Sequence, residues 1–168
     1  MLRKRWYDQG FYGKTTLSQE MLAGAEKHSD VRMVFHSDSN PREATLGEMS
    51  DASRRLATGL AELGLVPGDV IGVQVPNWLE GVVTYQAAMH LGLVIVPIIH
   101  IYGPSEVGFI LRQSGAKALV VPAAWRNINY AERIESVRAI PTLEHIIVIG
   151  DDSTTLGTPW SSLLSLIH

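Results

Sequence analysis

The chain contains no cysteine. Disulfides, thiolate metal sites and cysteine nucleophiles are excluded together, and the composition fits a reducing compartment. Charge is scarce as well, with Asp, Glu, Lys and Arg making up 18% of the 168 residues and hydrophobic residues 46%, where an average domain has roughly 25% charged. Such a chain folds around a real core. The net charge is −3, and the fourteen Lys and Arg are scattered except at Arg3, Lys4 and Arg5, so there is no long basic face for a nucleic acid. No nucleic-acid partner is expected. The six histidines (28, 36, 90, 100, 145 and 168) lack metal-ligand spacing, and no Gly-x-Ser-x-Gly elbow marks a hydrolase.

The basic triplet is followed by Trp6-Tyr7-Asp8-Gln9-Gly10 rather than an apolar run, so it does not open a signal peptide. A cytoplasmic location is expected, with peripheral contact to a membrane left open. No charge occurs between Glu80 and Glu106, a gap long enough for a spanning helix. The pattern changes halfway, however, and Gln86, His90, Pro97 and His100 would all be costly in lipid. No transmembrane span is expected.

What is present is a recurring helix–strand unit. Asn77-Trp78-Leu79-Glu80 has the form of a capping box, followed by Leu79, Val82, Val83, Gln86 and Met89 at helical spacing and by Gly92 at the C-cap position. The run Leu93–Ile99 then reads as a strand buried on both faces. Thr45-Leu46-Gly47-Glu48 is another box, opening a helix with Met49, Ala52, Leu56, Leu60 and Leu63 on one stripe up to Gly64. Pro67-Gly68 marks a turn into the strand Val70–Val75. Downstream, Gly103-Pro104 opens a helix that stops at Gly115; Ala118–Val121 is a strand, Tyr130, Ile134 and Val137 a helical stripe, and Ile146–Ile149 a fourth strand.

This alternation predicts a doubly wound, mainly parallel α/β sheet with βαβ crossovers. Residues 1–45 read as an appendage packed on that sheet, with a helix capped by Thr16 and Gln19 and a hairpin pairing Val31–Phe35 with Ala44-Thr45. Residues 46–168 read as the parallel subdomain, incomplete at its C-terminal end. No repeat or long linker interrupts it.

Candidate sites are incomplete. Gly10-Phe11-Tyr12-Gly13-Lys14-Thr15 ends like a phosphate loop, but Asp8 stands where the first glycine is needed and no strand precedes it. Gly64-Leu65-Val66-Pro67-Gly68-Asp69 precedes its strand instead of linking strand to helix. The helix start at Val75-Pro76-Asn77 has the right context for an anion, yet Pro76 removes a donor. It reads as a structural cap. His100, with Tyr102 nearby, follows a strand where ligands bind in parallel sheets, but lacks an adjacent carboxylate or nucleophile; it reads as a hydrogen-bonded rim residue. Asp151-Asp152 could hold Mg²⁺ and reads as a solvated turn.

Taken in order, Ala44-Thr45-Leu46-Gly47-Glu48-Met49, Val66-Pro67-Gly68-Asp69-Val70-Ile71-Gly72-Val73, Val75-Pro76-Asn77-Trp78, Ala87-Ala88-Met89-His90-Leu91-Gly92 through Pro97, and Glu106 through Val121 resemble the start of the adenylate-forming acyl-CoA synthetase family. The resemblance runs over residues 15–165. It implies the large N-terminal domain of that fold and a two-step reaction: a carboxylic acid, fatty acids foremost, attacks the α-phosphate of Mg²⁺-ATP, and the CoA thiol then displaces AMP. The matching motifs are scaffold motifs. The family's Ser/Thr/Gly-rich phosphate loop, ribose-binding Asp, Mg²⁺-associated Glu and adenylation Lys would lie beyond His168, so the resemblance assigns no catalytic, cofactor or metal residue here. The expected partners are the acid, ATP and CoA in the longer protein and a downstream segment of the same polypeptide, with a homo-oligomer left open. The alternatives are a stand-alone non-catalytic α/β interaction module and, more weakly, a small nucleotide binder using Lys14.

Overall fold

Short-range capping chemistry opens two of the early helices. The computed structural model describes residues 2–150 and 156–165, Glu132 by its backbone alone. After α1 (Leu2–Asp8) comes α2 (Leu17–Lys27), where Thr16 accepts from the Gln19 amide and the Gln19 side chain accepts from the Thr16 amide. The hairpin of β1 (Arg32–Phe35) and β2 (Arg42–Thr45) is antiparallel, with Val34 opposite Glu43. Thr45 and Glu48 close the same reciprocal box at the head of α3 (Leu46–Glu62), which buries Met49, Leu56 and Leu60 as its stripe requires.

A five-stranded sheet follows. Its strands are β3 (Val70–Val73), β4 (Val94–Pro97), β5 (Ala118–Pro122), β8 (His145–Ile149) and β9 (Thr158-Pro159), and every pairing is parallel. The helices between them are α4 (Leu79–Leu91), α5 (Pro104–Ser114) and α6 (Tyr130–Val137); the strands β6 (Ala124-Trp125) and β7 (Ile128-Asn129) form a small hairpin before α6. Spatial order is β4-β3-β5-β8-β9. The chain thus moves outward from β3 to β4, then crosses back over β3 to β5, which makes the gap between β3 and β5 the topological switch point.

Both faces of the sheet are covered, as a parallel sheet demands. Ile71, Val73, Ala118, Val120, Ile147 and Ile149 meet α3, α4 and Trp160 on one face. Leu119, Val121, Ile146 and Val148 meet Val107, Leu111, Tyr130, Ile134 and Val137 on the other. Gly92 and Gly115 end α4 and α5 in the left-handed region, with φ of 75° and 65°, where a side chain would be strained. The doubly wound fold expected from the sequence is what forms. Of the elements in residues 1–45, α2 and β2 touch α3 and α4, the helices that cover the first face.

Two local expectations are corrected. The strand after Gly92 is not buried on both faces: β4 is an edge strand, and Val94 remains 50% exposed. Its apolar run reads like a central strand, but placement follows strand order, which no local pattern encodes. The box at Asn77 does not form either. The N-cap is Trp78, whose indole offers no acceptor for a side-chain cap, and the Glu80 carboxylate is engaged by the Asn40 amide at 2.9 Å and the Arg42 guanidinium at 3.7 Å.

Candidate functional site

The switch point opens into a crevice of about 550 Å³ at the carboxyl ends of the strands. Its wall is built by the backbone after β4. The buried Gln74 donates to the carbonyls of Ile99 and Tyr102 at 3.2 and 3.0 Å, the Tyr130 hydroxyl donates to the His100 carbonyl at 2.9 Å, and Arg133 donates to the Tyr102 carbonyl. Burial pushes the Tyr130 phenol above its ordinary pKa, with Arg133 opposing, so it stays a donor. These bonds fix His100 and Ile101 at the rim. The His100 ring then meets Trp125 edge-on at 4.4 Å, and Arg126 lies over the same indole at 4.5 Å.

Arg126 has a φ of 52°, the only positive value at a non-glycine residue among those described. It is the first residue of a two-residue turn between Trp125 and Ile128, a place where glycine is favoured. A strained, stacked cation in a switch-point crevice suits an anionic ligand. The opposite wall is the loop after β1, held because the Trp78 indole donates to Ser37 Oγ at 3.1 Å and Asn40 to Glu80.

Of the candidate-site residues singled out in the sequence, Pro76, Asn77 and His100 line this crevice. The His100 ring contacts Trp125, while the hydrogen bonds run to its carbonyl. Gly10–Thr15 is exposed and follows α1, a helix rather than a strand. Gly64 and Gly68 adopt positive φ in the loop before β3, where Asp69 accepts from the Val66 amide at 2.9 Å and from Lys117 at 3.1 Å. Both partners hold the Asp69 carboxyl below its ordinary value, the Val66 amide first. That loop is structural. Asp151-Asp152 lies outside the described residues.

Sequence reasoning passed over Trp125 and Arg126. The usable signal was a two-residue Arg-Asn spacer between Trp125 and Ile128, weak because neither residue is glycine. A larger cavity, about 660 Å³, lies between β2, α3 and the end of β8, floored by Met49, Leu79, Val83 and Trp160. Its rim charges Arg42 and Glu80 face each other, which leaves that pair poorly placed to hold a ligand. Among the described residues no three His, Asp or Glu side chains converge as a cation site.

A polar cluster unseen in the sequence joins α2, α3 and α4. His90 Nδ1 lies 2.6 Å from Ser18 Oγ and Nε2 lies 3.1 Å from Ser53 Oγ, whose hydroxyl donates to the Ser50 carbonyl at 2.8 Å. Ser53 must then accept from Nε2–H, leaving Nδ1 to accept from Ser18: a neutral ring clipped between helices. Burial, then the charge of Arg54, lowers the His90 pKa. Below its ordinary 6.5 the unfolded chain takes up a proton that the folded one resists, so stability falls with pH between 6.5 and the lowered value. Urea midpoints should accordingly drop from pH 7 to pH 5 in the wild type and drop less in His90→Gln. Parallel pH profiles of the two proteins would contradict this clip.

The AMP-binding enzyme family model matches residues 22–162. The chain belongs to that family. It is 26% identical over 166 residues to the medium-chain fatty-acid–CoA ligase of Escherichia coli K12, covering 98% of this chain and 29% of that protein. It is 29% identical over 157 residues to the salicyl-AMP ligase of Mycobacterium tuberculosis H37Rv, covering 92% and 27%. The chain therefore spans less than a third of these relatives. Among solved structures, the anthranilate CoA ligase AuaEII shares the fold, with a TM-score of 0.80 at 24% identity over 92% of this chain and 29% of the other. The N-terminal domain of FACL13 from Mycobacterium tuberculosis matches with a TM-score of 0.70 at 26% identity, over 80% and 34%. No helix among the described residues is long and apolar enough to cross a membrane.

Proposed function

We propose that this chain is the first part of an ATP-dependent acid–CoA ligase and catalyses nothing alone. The observation that carries the reading is the family match over residues 22–162 together with relatives more than three times as long. Residues 46–168 then serve as a scaffold subdomain, with residues 1–45 as its appendage. The longer protein would join a carboxylic acid to CoA through an acyl-adenylate, releasing AMP and pyrophosphate, in a cytoplasmic setting. The open β4 edge, with Val94 and Ile99 half exposed and Phe109 63% exposed on the adjacent α5, supports further polypeptide packing there.

Within that reading the crevice at Arg126 takes a phosphate-bearing substrate. ATP and CoA both qualify by charge, and the guanidinium is exposed to a ligand while the indole beneath it keeps it in place. Arg126→Gly should leave folding intact or raise stability by up to about 1 kcal/mol by relieving the positive φ. It should also abolish any change in Trp125 fluorescence on adding CoA or ATP. A ligand response that survives in Arg126→Gly would remove the crevice from the proposal.

A further inference from the structure

Four of the twelve aromatic residues, Trp6, Tyr7, Phe11 and Tyr12, fall within seven positions and all are exposed, Phe11 at 74%. Helix α1 buries no residue. The segment folds on itself instead: the Phe11 amide donates to the Trp6 carbonyl at 2.9 Å, and the Trp6 and Tyr7 rings meet Tyr12 edge-on at 5.3 and 5.6 Å. It also carries its own charge. Residues 1–14 hold four cations and one anion, against ten cations and sixteen anions in the rest of the chain.

Exposed rings beside a cluster of Arg and Lys fit a medium that is apolar on one side and anionic on the other. A bilayer surface with anionic headgroups is that medium: aromatic bodies settle at the headgroup level and each nearby cation adds attraction. Nucleic acid also welcomes cations and rings, but it has no use for the exposed aliphatic side chains of Leu2 and Leu17 that flank them, and the remainder of the chain is acidic. We propose that residues 2–17 dock this chain on an anionic lipid surface, with Arg3, Lys4 and Arg5 at the phosphates and Leu2, Trp6 and Phe11 entering the interface. The site is separate from the crevice, and its test reads vesicles rather than turnover, so it stands or falls apart from the ligase reading.

The test is co-sedimentation of the 168-residue chain with vesicles of phosphatidylcholine alone and of an equal mixture of phosphatidylcholine and phosphatidylglycerol. Binding should be confined to the mixed vesicles and weaken as salt rises. Changing Arg3, Lys4 and Arg5 together to Glu should reduce the partition roughly a hundredfold or more, from a several-fold effect per cation, and Trp6→Ala with Phe11→Ala should reduce it independently. Unchanged urea midpoints would show both variants folded, since α1 contributes nothing to the core. No binding, equal binding to neutral vesicles, binding indifferent to the substitutions, or capture of an oligonucleotide in preference to vesicles would each overturn the proposal.

Discussion

Trp160→Ala lowers the unfolding free energy by about 3–5 kcal/mol, the range for truncating a large buried aromatic. Trp160 opens the 3₁₀ helix Trp160–Leu164 and fills the core between α3, α4 and the sheet, with Leu163 beside it. Its indole N–H donates to Thr84 Oγ1 at 3.0 Å, and that hydroxyl donates to the Glu80 carbonyl at 2.6 Å. Alanine removes both the ring and the donor. Trp160→Phe keeps most of the packing but leaves Thr84 a donor short, so it should cost about 1–2 kcal/mol. A typical domain has only about 5–15 kcal/mol in total, so the alanine variant should be visibly unfolding in mild urea. An alanine variant within 1 kcal/mol of wild type would mean, on the scale of core truncations, that this segment does not complete the core.

Gly59→Ala and Gly24→Ala, the same change in two helices, should have opposite signs. Gly59 is buried in α3 against the 3₁₀ helix, and a Cβ there would meet Leu163 at its carbonyl oxygen, with the Leu163 Cβ at 2.8 Å and Cα at 3.0 Å. Real Cβ atoms do not approach that closely. The obstacle is backbone, so relief requires the 3₁₀ helix to back away from α3, and the expected loss is about 2–3 kcal/mol, after the ordinary helical gain from alanine is set against it. At Gly24, in α2, a Cβ meets nothing within 4 Å. There the gain of roughly 0.5–1 kcal/mol from a stiffer unfolded chain and better helix propensity stands alone. Chemical denaturation of the two variants decides the matter, and a stabilised Gly59→Ala would show that α3 and Leu163 are not in close contact.

Legibility in the sequence followed the range of the interaction. The boxes at Thr16/Gln19 and Thr45/Glu48 formed as read, because a cap closes over three residues and depends on little else. The box at Asn77 did not form: the helix starts one residue later, after Trp78, and the carboxylate of Glu80 is held instead by Asn40 and Arg42, about forty residues away in sequence. The helical stripe of α6 was readable because Tyr130, Ile134 and Val137 all face one core. The edge position of β4 was not, since β3 pairs with both β4 and β5 and only strand order decides which strand is left outside. His100 could be placed at a strand end from sequence, but its neighbours Trp125 and Arg126 belong to a hairpin after a different strand. The clip of His90 between Ser18 and Ser53 brings together residues 72 and 37 positions apart, beyond any spacing rule.

The proposed function makes this chain a folded scaffold that does not adenylate an acid by itself. Carboxylate-dependent exchange of labelled pyrophosphate into ATP tests it most directly, run on this 168-residue chain and on any longer reading frame that contains it. The account predicts a cooperatively unfolding chain with no exchange above background for any medium- or long-chain fatty acid or aryl acid, and exchange restored in the longer protein. Acid-dependent exchange by the 168 residues alone would contradict it.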